Sequence, residues 1–193
     1  IEWCQELGVE FLTVYAFSTE NWKRDPAEIS CLMGLFMDHA EQIRKRALEH
    51  NVKVRVFASE PDMLPEPVQK SFLRLETETT RCSGFQLNLC VSYGSRSEIA
   101  GACRRIAARV AAGELRADEV DEGMLSNHMI SAGVPDPDLL IRTSGERRLS
   151  NFLLWQLAYA EMIFVDKQWP AFGKQDLVDA VAEFARRKRR YGR

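Results

Sequence analysis

The stretch Asp138 to Val165, DLLIRTSGERRLSNFLLWQLAYAEMIFV, places a segment crowded with three arginines, two serines and two glutamates between two short apolar runs. Asp138 to Ile141 has the length and composition of a buried parallel strand, and Met162 to Val165 reads as a second. A strand of this kind puts Arg142 at its carboxyl end, the end at which open α/β sheets bind ligands. Arg148 and Ser150 follow two residues apart. A guanidinium offers a planar fork of donors to phosphate oxygens, a serine hydroxyl adds a short donor, and a carboxylate such as Glu161 can hold a divalent ion against the same phosphates. The same residues also suit a solvated loop whose arginines pair with Glu146 and Glu161.

Working back toward the amino terminus, strands alternate with helices. Phe11 to Phe17 is a β-rich run that ends at the polar cluster Ser18-Thr19-Glu20-Asn21. Ile29, Leu32, Met33, Phe36, Ala40, Ile43 and Ala47 recur at helical spacing behind Pro26, and Lys53 to Ala58 alternates as a strand. A helix from about Pro67 to Thr80, a strand from Phe85 to Ser92 and a helix from Ser97 to about Ala112 follow, with Gly113 as its cap. A short helix over Met124 to Ser131 and a last one over Lys174 to Arg190 complete the pattern. The expectation is an α/β fold with one core and one mostly parallel central sheet, flanked by helices.

The 193 residues fit one domain over 1–193. Lysine and arginine number 26 against 28 acids, so there is no global attraction to nucleic acid or anionic lipid, and any anion site must be local. Five cysteines, Cys4, Cys31, Cys82, Cys90 and Cys103, form no CxxC pair and suit reduced core thiols in a cytoplasmic protein. No apolar run reaches the roughly 20 residues of a membrane span. Arg186 to Arg190 is a basic run that complements a helix carboxyl end, without the aromatics of a nucleic-acid platform.

Four segments together resemble the cis-prenyltransferases: YAFSTENWKR at Tyr15 to Arg24, NLCVSYGSR at Asn88 to Arg96, RTSGERRLSNFLLWQLAYAE at Arg142 to Glu161, and Arg190-Tyr191-Gly192. The resemblance covers essentially the whole chain. It implies a transferase that condenses isopentenyl diphosphate in cis geometry onto an allylic diphosphate such as farnesyl diphosphate. The product would be a polyprenyl diphosphate of undecaprenyl type, for a cell-wall lipid carrier. By the same resemblance Arg142, Arg148 and Ser150 hold the isopentenyl diphosphate, Leu149 is a further substrate-binding residue, and Glu161 is a magnesium ligand. Ser18, Thr19, Glu20, Trp22 and Arg24 flank the allylic substrate, and Asn21 assists proton removal. An amide is a poor base, so Asn21 is read as an orienting group or, more plainly, as a turn residue. Trp22 suits core packing equally well.

The family also implies a homodimer in which Arg190 and Gly192 reach the neighbouring site, and an apolar substrate tunnel. Leu32, Leu35, Phe36, Phe72 and Leu75 could wall that tunnel, or simply belong to the core, and Phe85 and His50 would narrow it. No nucleic-acid partner is expected, and at most peripheral membrane contact as product leaves. The family's amino-terminal Asp-Gly-Asn-Gly-Arg-Trp motif is absent, and Ile1 to Gly8 reads as a helix without its N-cap. The chain is therefore expected to be truncated at its front, lacking a metal-binding aspartate and a strand, and inactive if residue 1 is the true start. The competing readings are a non-catalytic partner subunit of a heteromeric prenyltransferase, a short-chain cis-prenyl diphosphate synthase, and a generic phosphate-binding α/β domain.

Overall fold

The computed structural model describes residues 1–187, and its contacts gather into two compact units, Trp3–Val134 and the unit that begins at Pro135. The first follows from the alternation of apolar strands with amphipathic helices. After the short helix α1 (Glu2–Glu6) come β1 (Phe11–Ser18), α2 (Pro26–Glu49), β2 (Lys53–Phe57), α3 (Glu66–Thr79), β3 (Gln86–Tyr93), α4 (Ser95–Ala111) and α5 (Glu122–Asn127). The three strands are parallel in the order β1-β3-β2. Leu87 to Tyr93 of the central strand are all buried, as a strand covered on both faces must be. Asp25 caps α2 through the Ala27 N–H at 2.8 Å, ahead of Pro26 in the first turn. Phe17, Phe36 and Phe72 link β1, α2 and α3 through ring centroids 6.0 and 6.2 Å apart. Phe72, Leu75 and Phe85 are core residues, whereas Leu35 is exposed.

The amides of β2 that do not face β3 are satisfied from α3. Val54 N–H donates to Thr79 Oγ1 at 3.1 Å and Val56 N–H to Glu76 Oε1 at 2.7 Å. Burial pushes the Glu76 carboxyl above the ordinary glutamate range, against the opposing pull of the Val56 N–H and of Arg55. A carboxyl raised in the folded state favours folding while protonated, and that contribution is lost as pH rises through the raised value. Glu76→Gln keeps an acceptor for Val56 and removes the charge. Its melting temperature should therefore gain on the parent between about pH 4 and about pH 7. A difference that stays flat over that range would show that Glu76 titrates normally in the fold.

Residues 130–132 are held from two sides. Glu98, 1 % exposed, accepts the N–H groups of Ile130 at 2.9 Å and Ser131 at 3.4 Å on one oxygen and the Tyr93 hydroxyl on the other. Arg55 donates to the carbonyls of Ile130 at 2.6 Å and Ala132 at 2.9 Å, its guanidinium lying 5.0 Å from the centre of the Phe57 ring. These bonds explain a departure from expectation: α5 ends at Asn127 rather than at Ser131, because the backbone groups beyond it are taken by side chains.

The second unit contains β4 (Leu139–Arg142), β5 (Glu161–Phe164) and α6 (Lys174–Arg186). The two strands pair in parallel as a separate sheet, so among the described residues the hydrogen-bonded ladders form two sheets and not the single one expected. Apolar runs specify strands, but not which strands pair. The fold is nonetheless α/β, with parallel sheets flanked by helices. The last helix ends at Arg186, where Arg187 turns extended; the expected continuation over Lys188 to Arg190 lies outside the described residues. All five cysteines are free thiols, but only Cys4 and Cys90 are buried; Cys31 and Cys103 are exposed, so core thiols describe two of the five.

Candidate active site

In the first unit the polar cluster is an extension of β1. Successive register shifts, Tyr15 with Cys90, Phe17 with Val91 and Ser18 with Tyr93, leave Ala16 and then Ser92 unpaired, one extra residue on each strand in turn. Beyond them Thr19–Lys23 forms a 3₁₀ turn. Asn21 Oδ1 accepts the Ser18 N–H at 2.9 Å, so the amide oxygen is committed to the turn, and the Thr19 hydroxyl donates to Glu20 at 3.2 Å. Trp22 packs edge-on against Phe17 at 4.9 Å while its indole N–H donates to Ser92 Oγ at 2.9 Å. The indole is thus half-buried, packed on Phe17 and bonded to β3. Arg24 pairs with Glu28 one helical turn on at 2.8 Å, both side chains about half exposed.

In the second unit Arg142 is the last residue of β4, one position inside the strand rather than just after it. Its Nε is buried and has no hydrogen-bond partner among the described residues. A buried donor left unmatched costs about 1–3 kcal/mol, a cost that an acceptor reaching Arg142 would remove. The loop that follows folds back on the exit of β5, Ser144 N–H donating to Lys167 O at 2.7 Å and Gly145 N–H to Val165 O at 3.0 Å. Ser144, Ser150, Asn151 and Leu153 all have positive φ, at 68°, 52°, 62° and 42°. Four non-glycine residues in left-handed conformation within ten positions is strain of the kind stored at binding sites. Arg147, Arg148 and Ser150 are exposed and Leu149 is half-buried. Arg148 pairs with Glu146, as the plainer loop reading had it.

Glu161 is the first residue of β5 and lies level with Leu139, three register steps from Arg142. The two therefore stand at opposite ends of the ladder, roughly 10 Å apart along the strands. Glu161 Oε2 instead accepts from Arg187 Nη1 at 2.8 Å, and the same guanidinium reaches Met162 O at 3.1 Å and Glu183 at 3.2 Å. Among the described residues no three His, Cys, Asp or Glu side chains converge as a metal cluster. A carboxylate is the kind of hard oxygen donor that a magnesium ion takes beside phosphate and water, and here Arg187 occupies it. The expected Arg190 and Gly192 lie outside the described residues.

Two residues, one in each unit, had escaped the reading of the sequence. Arg187 sat within a basic run explained by the helix dipole, and only the turn at the end of α6 aims it at Glu161. Ser92 was read as the last residue of the strand Phe85 to Ser92, where alternation gives no sign of an extra, left-handed residue.

The undecaprenyl diphosphate synthase (Prenyltransf) family model matches residues 1–192. The chain is 43 % identical over 194 residues to the tritrans,polycis-undecaprenyl-diphosphate synthase (geranylgeranyl-diphosphate specific) of Thermococcus kodakarensis, covering 100 % of this chain and 74 % of the relative. It is 42 % identical over 187 residues to the ditrans,polycis-undecaprenyl-diphosphate synthase ((2E,6E)-farnesyl-diphosphate specific) of Aliivibrio fischeri, covering 97 % and 72 %. Among solved structures, lavandulyl diphosphate synthase from Lavandula x intermedia, in complex with dimethylallyl diphosphate, superposes with a TM-score of 0.95 at 36 % identity, covering 100 % of this chain and 83 % of that one. The chain is an enzyme of the cis-prenyltransferase family, the family of undecaprenyl diphosphate synthase.

Proposed function

We propose that this protein condenses isopentenyl diphosphate in cis geometry onto farnesyl diphosphate, repeatedly, to a polyprenyl diphosphate of undecaprenyl type that serves a cell-wall lipid carrier. The observation that supports it is the Nε of Arg142, buried and unmatched among the described residues, at the carboxyl end of a parallel strand beside a loop strained into left-handed conformations. In each cycle the allylic carbon–oxygen bond breaks and diphosphate leaves with the electron pair. The isopentenyl double bond supplies the electrons for the new carbon–carbon bond, and loss of a proton from the adjacent carbon restores a double bond. Arg142, Arg148, Leu149 and Ser150 bind the isopentenyl diphosphate, with Arg148 exchanging Glu146 for phosphate oxygens. Ser18, Thr19, Glu20, Trp22 and Arg24 line the allylic substrate, and Asn21 orients the condensing unit.

Glu161 would hold magnesium once Arg187 releases it, and a dication there would neutralise the charge of a departing diphosphate. The reading further takes residues 1–193 as one catalytic domain with an apolar tunnel, acting as a cytoplasmic homodimer through Arg190 and Gly192. No described helix is long and apolar enough to cross a membrane. A short-chain product is the second reading, favoured by the close superposition on a synthase captured with dimethylallyl diphosphate.

Incubating the protein in its full natural length with labelled isopentenyl diphosphate, magnesium and, separately, dimethylallyl, farnesyl or geranylgeranyl diphosphate decides between them. Long products formed fastest from farnesyl diphosphate are expected. A single condensation onto dimethylallyl diphosphate would establish the short-chain reading, and no incorporation with any primer would leave only a partner subunit.

A further inference from the structure

Resting on the assignment of residues 18–24 to the allylic substrate, we infer that Ser92 is a positioning residue for that substrate, acting through Trp22. Ser92 is the extra residue that the register shift between Phe17 and Ser18 leaves in β3. It is fully buried and has φ of 48°, a conformation that a residue with a Cβ adopts only at a cost. Extra residues of this kind re-aim a side chain, and here the hydroxyl is turned out of the strand's alternation. Its oxygen accepts the Trp22 indole N–H at 2.9 Å, and its own hydrogen goes to Glu60 O at 2.8 Å. The Glu60 N–H returns to Ser92 O at 3.1 Å.

One hydroxyl therefore fixes the rotation of the indole about its edge-on contact with Phe17 and ties it to the segment leaving β2. The edge-on contact with Phe17 sets the tilt of the ring, and the hydrogen bond sets which way its N–H edge points. A glycine would occupy this backbone without strain and would serve equally well if the turn alone mattered. The cost of a serine here is accounted for by the hydroxyl and not by the path of the chain.

Ser92→Gly tests this, because it removes the hydroxyl while relieving the backbone, so the protein folds. The KM for farnesyl diphosphate should rise about tenfold, the factor for one hydrogen bond to an oriented group, with the KM for isopentenyl diphosphate within about twofold of the parent. Trp22→Phe keeps the ring contact and lacks the donor. In that background Ser92→Gly should add less than about twofold, since the two changes remove one interaction. A second readout is the Trp22 indole N–H resonance, identified by its loss in Trp22→Phe: its solvent exchange should speed up in Ser92→Gly, and in the parent it should shift on adding farnesyl diphosphate.

Multiplicative effects of the two substitutions, an unchanged exchange rate, or equal rises in both KM values would overturn the role given to Ser92. Faster exchange in the variant, with no response of the parent resonance to farnesyl diphosphate, would instead show that residues 18–24 do not meet the allylic substrate.

Discussion

Replacing Arg142 by methionine should lower kcat/KM for isopentenyl diphosphate by about 10²–10³-fold and, at the same time, leave the melting temperature unchanged or raised. The two effects share one cause. Among the described residues the Nε of Arg142 is buried without a partner, an unmet donor that methionine, of similar length and without polar atoms, would abolish. With diphosphate present, that donor and the rest of the guanidinium supply charge-assisted bonds that no apolar chain replaces. Lysine should recover little, because an ammonium cannot reproduce the planar fork. Steady-state kinetics with thermal melts on the same preparations check both halves. A variant that loses activity and stability together would make Arg142 a structural residue.

Glu98→Leu should cost about 3–5 kcal/mol of stability, because it leaves the N–H groups of Ile130 and Ser131 and the hydroxyl of Tyr93 facing an apolar side chain. In a chain of this size that is a fall in melting temperature of about 10 °C. Glu98→Gln retains an acceptor and should lose less. Chemical denaturation of the three proteins measures the series, and a loss below about 1 kcal/mol for leucine would mean that residues 130–132 find other partners. The Tyr93 hydroxyl is held well above its ordinary range by burial and then by Glu98, so it remains protonated as the donor of this pair.

Whatever depends on periodicity was legible in the sequence. The strands Phe11–Ser18, Lys53–Phe57 and Gln86–Tyr93 and the helices behind Pro26 and Glu66 lie within a residue or three of where apolar spacing puts them. Partnerships were not legible. Glu98 has the sequence of an ordinary first-turn acid of α4 until residues 130 and 131, more than thirty positions on, place their amides on it. Arg187 needed the end of α6, and Ser92 needed the register of two strands, neither of which leaves a periodic trace. The motif residues were named by resemblance, yet the ladder of β4 and β5 sets Arg142 and Glu161 at opposite ends, a separation their neighbourhood in the motif conceals.

The bonds that α3 sends to β2 bear on how the molecule tolerates its own copies at high concentration. A strand whose outward amides are open is a template on which another chain can add itself, and from there an aggregate can grow. In this protein Thr79 and Glu76 occupy the Val54 and Val56 amides, so an incoming strand would have to displace a helix before it could pair. Two side chains with no role in the proposed chemistry thus close this edge to strand addition.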